Sequence, residues 1–117
     1  MNKLFEFRLQ ASKLKLKYIL YNLVNFNQES KRKSIPAPIK KMMWEKYVSK
    51  ELRMGKCFCC QDKDILETDC HAGHVISDKD GGRVELDNLR PICAKCNLSM
   101  GSENMYQFIV KYNMWNM

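Results

Sequence analysis

Two pairs of cysteines with the same short spacing constrain this chain more than any other feature of its sequence. Cys57 and Cys60 form the first pair, and Cys93 and Cys96 form the second. Zinc prefers four tetrahedral thiolate or imidazole ligands, and two residues between cysteines let one tight turn present both sulfurs to one ion. The four cysteines therefore predict one closed, structural Zn²⁺ site. The 32 residues between the pairs are more than a simple zinc ribbon holds, so they form an inserted unit with its own fold.

Two further cysteines lie outside this scheme. Cys59 sits inside the first pair, but only the spacing of Cys57 and Cys60 matches that of the second pair, which favours these two as the ligands. Cys70 has no partner and is expected to be a small buried hydrophobe. The alternative is three disulfides in a secreted domain. It is disfavoured because no apolar signal segment with a cleavage site begins the chain, so we expect a reducing, intracellular compartment.

Length and charge set the remaining bounds. A chain of 117 residues holds one small domain and an appendage, and a metal is the usual supplement when the core is small. Twenty Lys and Arg against thirteen Asp and Glu give a formal net charge of +7, which favours a partner with a phosphate backbone. No run of eighteen apolar residues exists, so we expect no membrane span.

Hydrophobic periodicity predicts two amphipathic helices before the first cysteine pair. In residues 3–26 apolar side chains recur three and four positions apart between lysines. The stretch from Asn27 to Pro38 loses this pattern and reads as a basic linker. A second helix is predicted from Ile39 to Arg53, with its apolar face covering the zinc domain. We therefore divide the chain into residues 1–35, the first helix and linker, and residues 36–117, the zinc domain. The apolar positions of the first helix are Leu16, Ile19, Leu20, Leu23 and Val24; those of the second are Met43, Trp44, Tyr47, Val48 and Leu52.

Between and after the cysteine pairs the pattern becomes mixed. Residues 65–76 read as an extended segment, residues 78–82 as a turn with two glycines, and residues 83–86 as the second strand of a hairpin. A third helix is predicted to start near Cys93 and run past Asn97, and Ser102 is the predicted N-cap of a last helix. The fold class that follows is α+β.

Several motifs then follow one another in a fixed order. They are Gly73-His74-Val75-Ile76, Gly81-Gly82, Asn88-Leu89-Arg90-Pro91-Ile92-Cys93 and Cys96-Asn97. Over about residues 55–105 this order resembles the HNH endonuclease family, whose core is a β-hairpin followed by a helix around one divalent metal, the ββα-metal or His-Me finger. His74 lies fourteen positions before Asn88 and 23 before Asn97, which is similar to HNH nucleases that end in Asn. The string from Asn88 to Gly101 resembles HNH proteins of large DNA viruses and suggests a viral origin.

The resemblance implies a metal-dependent endonuclease that hydrolyses DNA and leaves a 5′ phosphate. His74 is the implied general base, because a neutral imidazole near pH 7 can take a proton from water. Asn97 offers an amide oxygen to the catalytic Mg²⁺ or Mn²⁺. Asn88 is expected to orient His74 or to tie the hairpin return rather than to bind metal. Lysines and Arg90 are expected to hold the DNA backbone.

One element of the family pattern is missing. HNH nucleases usually place an Asp or His before the base histidine as the other metal ligand, and this chain has Gly73 there. Because side chains alternate along a strand, Asp69 and His71 share the face of position 73, and a bulge at the glycine would help either to reach the metal. We favour His71 as the substitute ligand, with Asp69 or a shell completed by water as the alternatives. The alternative is a catalytically inactive, zinc-stabilised DNA-binding or virion structural module.

The sequence leaves the role of the first helix and of the basic residues open. The helix can pack on the zinc domain, pair with its copy in a homodimer, or dock a protein partner. The run Lys31 to Lys33, with Lys40 and Lys41, suits a solvated face, an arm for the DNA backbone or a nuclear import signal. If the protein is viral, it is expected in the host cytoplasm, the nucleus or the virion.

Overall fold

Four helices and two small antiparallel sheets make up the part of the chain that the computed structural model describes, residues 2–24 and 34–115. Strands β1 and β2 pair with each other, as do β3 and β4. The α+β prediction is therefore confirmed. In chain order the elements are α1 (Lys3–Val24), α2 (Ala37–Tyr47), β1 (Met54–Lys56), β2 (Asp64–Leu66), β3 (His71–His74), β4 (Leu89–Ile92), α3 (Ala94–Met100) and α4 (Met105–Lys111).

The hairpin of β3 and β4 differs from the prediction in its second strand. The expected extended segment 65–76 is divided by a turn into β2 and β3. The predicted strand 83–86 is wrong, because pairing begins later, with His74 opposite Leu89 and His71 opposite Ile92. Residues 75–88 instead form a looped return with a turn of 3₁₀ helix at each end. The predicted turn is confirmed, with Gly81 in the left-handed region at φ 92°.

The second helix is shorter than predicted. It begins at Ala37 with Pro38 in its first turn, where the fixed φ of proline suits a helix start, and ends at Tyr47 rather than Arg53. The reason is that the hydroxyl oxygen of Ser49 accepts hydrogen bonds from the next backbone N–H groups, those of Glu51 and Leu52, at 3.0 and 3.2 Å. The backbone then turns back, and Leu52 stays exposed. The prediction that α2 covers the zinc domain is confirmed, because its Met43 and Trp44 are fully buried.

The third helix is confirmed, whereas the N-cap of the fourth is wrong. Asn104, not Ser102, precedes α4. Its amide is held on both sides, accepting from the Ser77 backbone at 2.8 Å and donating to Asp80 at 2.9 Å. The Met105 N–H donates to the Val75 carbonyl at 2.9 Å, so the hairpin return fixes the start of the helix.

Helix α1 packs against the zinc domain through residues other than those expected. The predicted apolar positions, from Leu16 to Val24, are all exposed. The buried side of α1 consists instead of Phe7, Ala11, Leu14 and Tyr18, which belong to the same core as α2, β4 and α4. The end of the predicted helix at residues 25–26, and most of the predicted linker with Lys31 to Lys33, lie outside the described residues.

An aromatic cluster joins α1 to the first cysteine turn and to the C-terminal segment. The ring of Phe7 lies 5.0 Å from that of Phe58 and 5.6 Å from that of Trp115, measured between centroids. Each buried aromatic side chain contributes about 1.5–3 kcal/mol through burial. Within residues 2–24 and 34–115, none of the helices combines the length and apolar character that crossing a bilayer requires.

Candidate functional site

The four predicted zinc ligands come together in one cluster. The sulfurs of Cys57, Cys60, Cys93 and Cys96 all lie within 4.8 Å of one another. Tetrahedral zinc with bonds of about 2.3 Å separates its sulfurs by about 3.8 Å, so a small contraction completes the site. Three of the cysteines are buried and Cys60 is partly exposed, as suits a closed structural site. The residues therefore fit a structural Zn²⁺.

Backbone N–H groups point at the sulfurs of the cluster. The Cys93 N–H donates to Cys57 Sγ at 3.2 Å, the Cys96 N–H to Cys93 Sγ at 3.4 Å, and the Lys63 N–H to Cys60 Sγ at 3.5 Å. Hydrogen bonds to a thiolate stabilise its charge, and the thiolate is the form that binds metal. The turn after β1 and the start of α3 thus prepare the cluster for a cation.

Cys59 supports the cluster without joining it. Its thiol donates a hydrogen bond to Cys57, which is the main reason that the pKa of Cys57 is lowered to about 4. The same bond, with burial, raises the pKa of Cys59, which therefore stays protonated. The choice of Cys57 and Cys60 over Cys59 is confirmed.

The remaining cysteine also behaves as predicted. Cys70 is buried, and burial raises the pKa of its thiol. All six cysteines, which lie within the described residues 34–115, are free of disulfide bonds. The alternative of a disulfide framework is therefore not what this fold uses.

Three of the four predicted catalytic residues line a single cleft. His71, His74 and Asn97 all border a space of about 1080 Å³ between the β3–β4 hairpin, α3 and the loop of Gly81 and Gly82. His71 is exposed, whereas His74 and Asn97 are half-buried. The hairpin supplies the two histidines and α3 supplies the asparagine, so the cleft has the strand and helix composition that the motif spacing predicts.

Within this cleft, His71 and Asn97 approach each other closely. The Asn97 amide nitrogen lies 3.4 Å from His71 Nδ1. A half-turn of the amide places its oxygen at the same distance from the ring nitrogen. Two neighbouring ligands of an octahedral ion with bonds of about 2.1 Å lie about 3.0 Å apart. An imidazole nitrogen and an amide oxygen at this separation fit two adjacent ligand positions of one divalent ion.

Asn88 ties the hairpin return. It is fully buried. Its amide oxygen accepts from the Ile76 N–H at 2.7 Å, and its amide nitrogen donates to the carbonyls of Ile76 and Arg83, both at 3.0 Å. Because both ends of the amide are bonded to backbone, the geometry favours the tying role over metal binding. Gly82 completes the return, since a Cβ there would lie 1.8 Å from the Ile76 carbonyl oxygen.

A side chain at position 73 would point into the core rather than into the cleft. Gly73 is buried, and a Cβ added there would lie 2.5 Å from Ile92 Cδ1 and 3.0 Å from Met105 Cε. The bulge that would have helped a substitute ligand does not form in this hairpin, because residues 71–74 pair one for one with residues 89–92. A side chain at position 73 would therefore meet apolar atoms before it met a metal.

Asp69, the other candidate ligand, is used elsewhere. Its carboxylate accepts from the Leu66 N–H at 3.0 Å and closes the turn between β2 and β3. It does not line the cleft. Of the two substitutes considered for the missing ligand, the structure brings only His71 to Asn97.

The expectation that Arg90 holds the DNA backbone is wrong. Arg90 is buried, and its guanidinium donates to the carbonyls of Asp87 and Leu89, both at 2.9 Å. Its guanidinium carbon also lies 4.0 Å from the centroid of the Tyr47 ring. Desolvation by burial lowers the pKa of the Arg90 guanidinium from its ordinary value. Arg90 is a structural residue that joins β4 to α2 and, through Gln10 at 3.3 Å, to α1.

Two residues that support the cleft were not predicted from the sequence. Asn104 and Ser77 are both buried polar residues, and together they hold the start of the return next to the cleft. The signal that could have found Asn104 is its place just before an apolar periodic segment, where asparagine is a favoured N-cap. Ser77 likewise precedes the acidic turn Asp78–Asp80 and caps it.

The family comparison agrees with this geometry. Residues 57–103 match the family model of the HNH endonucleases, which covers less than half of the chain. The matched stretch contains the four-cysteine cluster, the β3–β4 hairpin and α3. The chain has no match among the curated proteins and none among the solved structures. An HNH domain implies nucleic-acid binding, and the family in general implies endonuclease activity.

Proposed function

We propose that the protein is a metal-dependent HNH endonuclease that hydrolyses DNA phosphodiester bonds. The observation that carries the proposal is the approach of His71 to Asn97 at 3.4 Å in a cleft that His74 also lines. The match to the HNH endonuclease family covers the same residues and supports a hydrolytic role for this cleft. As a working division we keep residues 1–35, whose helix packs into the shared core, and residues 36–117 as the nuclease domain.

In this proposal His74 is the general base. It lies half-buried at the edge of the cleft and takes a proton from the attacking water. His71 and Asn97 would be the protein ligands of the catalytic ion. The ion, when bound, neutralises charge that develops on the phosphate and on the leaving 3′ oxygen. Asn88 keeps His74 in place through the hairpin return.

The donor set has a consequence for the choice of ion. Both ligands are neutral, and the four cysteines are the one metal-binding group of three or more His, Cys, Asp or Glu residues within the described ranges. Substrate phosphate and water would complete the shell, as they commonly do for Mg²⁺. Because imidazole suits the softer first-row metals, Mn²⁺ is expected to serve better than Mg²⁺.

DNA is the proposed substrate because the cleft is bordered by cations. Lys40, Lys79 and Arg83 all line it. Three carboxylates also line it: Asp78, Glu85, which binds Lys17 at 2.7 Å, and Glu103, which binds Lys111 at 3.6 Å. The lysines and Arg83 therefore face the phosphate backbone in this proposal, in place of the buried Arg90. A reducing compartment, as in a host cytoplasm, nucleus or virion, suits the six free thiols.

The test is nicking of supercoiled plasmid by the purified protein with Mn²⁺ or Mg²⁺, with bound zinc measured in each sample. His74→Ala should lower the cleavage rate by about 10²- to 10⁴-fold, because it removes the base. Its zinc content and DNA affinity should not change. The matched control is Ser99→Ala, an exposed position on the helix that carries Asn97, which should cleave like the wild type.

Two outcomes would contradict the proposal. If the wild type binds DNA and one zinc but cleaves no duplex, single-stranded or branched substrate, the inactive binding module is the better reading. If His74→Ala loses its fold or its zinc, His74 is structural and the base assignment fails.

A further inference from the structure

Helix α1 carries two apolar faces, and only one of them is used within the described chain. The inner face, with Phe7, Ala11, Leu14 and Tyr18, is packed into the core. The second, which we call the outer face, consists of six residues that are each at least 45% exposed: Phe5, Leu9, Leu16, Ile19, Leu20 and Leu23. At 100° per residue the two faces lie roughly 160° apart around the helix axis.

The outer face is larger than ordinary surface composition explains. Single exposed apolar residues are normal, whereas a continuous apolar stripe along a helix marks a contact surface. Five of the six residues recur at the alternating four- and three-residue spacing of a coiled-coil seam: 5, 9, 16, 19 and 23, with Ser12 at the remaining position. The spacing indicates that another helix fits along this face.

A groove next to the outer face can accommodate such a helix. It has a volume of about 670 Å³ and lies between α1 and the loop that carries Arg83. Leu16 and Leu20 form part of its lining, so the groove and the outer face are continuous. The Arg83 guanidinium carbon lies 4.2 Å from the centroid of the Tyr21 ring and closes one end. A helix can enter a concave groove, whereas a flat lipid surface cannot fill it.

The charges beside the outer face indicate which charges a partner helix would carry. Lys13 flanks it on the groove side, where Lys17 is already paired with Glu85 at 2.7 Å, and Arg8 and Lys15 flank it on the other. Glu6 is the one acidic residue of α1. Two copies of α1 side by side would bring these lysines together in either orientation, and like charges across an interface oppose pairing. A helix with carboxylates beside its apolar stripe would instead complement the charges.

We propose that the outer face of α1 and its groove dock an amphipathic helix of a partner protein, with an apolar stripe flanked by Asp and Glu. The recognition mode is helix in groove, with leucine or isoleucine side chains as anchors. None of the six residues of the outer face lines the cleft of His71, His74 and Asn97, although the groove and the cleft share Tyr21, Arg83 and Glu85. Binding of the helix is measured without cleavage, so the proposal does not depend on nuclease activity.

The experiment uses a fluorescent helical probe about three heptads long, with Leu at both core positions and Glu at both flanking positions. A second probe carries Lys in place of Glu. Fluorescence anisotropy with the full-length, zinc-loaded protein should show at least about tenfold tighter binding of the Glu probe. Leu16→Gln combined with Leu20→Gln should weaken that binding at least about tenfold.

Matched variants make the test specific. Leu52→Gln alters a leucine of similar exposure away from α1 and should bind like the wild type; Leu52 is 61% exposed and Leu20 is 56% exposed. Lys13→Glu combined with Lys15→Glu should reverse the preference between the two probes. Circular dichroism and zinc content establish that each variant is folded.

Three results would overturn the proposal. The first is that neither probe binds, or that both bind alike. The second is a wild-type dimer in sedimentation that Leu16→Gln with Leu20→Gln converts to monomer, which assigns the face to a second copy of the chain. The third is binding to vesicles of phosphatidylglycerol, lost in the same double variant, without binding of the Glu probe.

Discussion

Cys96 and Asn97 are neighbours on α3, yet they belong to two sites that are built in different ways. Cys96 is buried, as are two of the other three cysteines of the cluster, and backbone N–H groups already point at their sulfurs. Asn97 is half-buried at an open cleft, where the contact that defines the site is 3.4 Å to an exposed histidine. One ion completes the cluster, whereas the activity proposed for the cleft requires an ion, water and substrate. One short helix thus links a site that stabilises the fold to one proposed to act on DNA.

The largest effect should come from breaking the cluster. Cys93→Ala removes a ligand and the N-cap of α3, and we expect the domain to unfold, because zinc binding supplies about 10–16 kcal/mol in small zinc domains. Circular dichroism and zinc content provide the measurement. Cys70→Ala is the control: it removes a buried thiol outside the cluster and should lower stability by only about 1 kcal/mol with zinc retained. A folded, zinc-loaded Cys93→Ala protein would contradict the four-cysteine site.

The next effect separates the two asparagines of the motif. Asn88→Ala leaves buried backbone groups of Ile76 without partners and should lower the free energy of unfolding by about 2–4 kcal/mol. Asn97→Ala, at a half-buried position, should change it by less than about 1 kcal/mol and lose cleavage. Urea denaturation and plasmid nicking measure the pair. Equal stability losses would mean that Asn97 is also structural.

A smaller effect is expected from restoring the family's usual ligand. Gly73→Asp should destabilise the protein by about 1–3 kcal/mol or more, because the new side chain would clash with Ile92 and Met105. Gly73→Ala separates the volume effect from that of the carboxylate and should be the milder change. Neither should raise cleavage. A faster Mg²⁺-dependent rate in Gly73→Asp would show that position 73 reaches the cleft after all.

The smallest effect concerns the identity of the ion. Wild-type cleavage should be a few-fold faster with Mn²⁺ than with Mg²⁺, because imidazole is a softer ligand than carboxylate. His71→Asp should shift the ratio of the two rates toward Mg²⁺, by a similar factor. The ratio is measured at equal ion concentrations and is independent of how much active protein each sample contains. An unchanged ratio would remove His71 from the ligand shell.

The elements that the sequence predicted well are those whose signal is local. The zinc ligands follow from spacing alone, and α3 follows from the segment after Cys93. The second hairpin strand was misplaced because its start is set by the side chain of Asn88, which bonds to residue 76 on the opposite arm. The alternation of polar and apolar residues along a strand does not reveal such a hydrogen bond.

The two wrong expectations about α1 and Arg90 share a cause. Phe58 and Trp115, which are far from α1 in the sequence, contact Phe7 and determine which face of α1 packs inward. Arg90 looked like a residue for phosphate contact because arginine is rarely buried without partners. Its partners come from three separate segments, including rings of α2 and α1. No single stretch of the sequence shows that these groups meet.

The buried guanidinium of Arg90 also sets a limit on how far the protein can be shortened. Phe7 and Gln10 of α1 form part of its surroundings, with the Phe7 ring 5.9 Å from the guanidinium carbon. A fragment that starts after residue 35 would expose one side of this cation and remove the Phe7 ring from its contacts with Phe58 and Trp115. Although the HNH match begins only at residue 57, the smallest fragment that folds well should begin before Phe7.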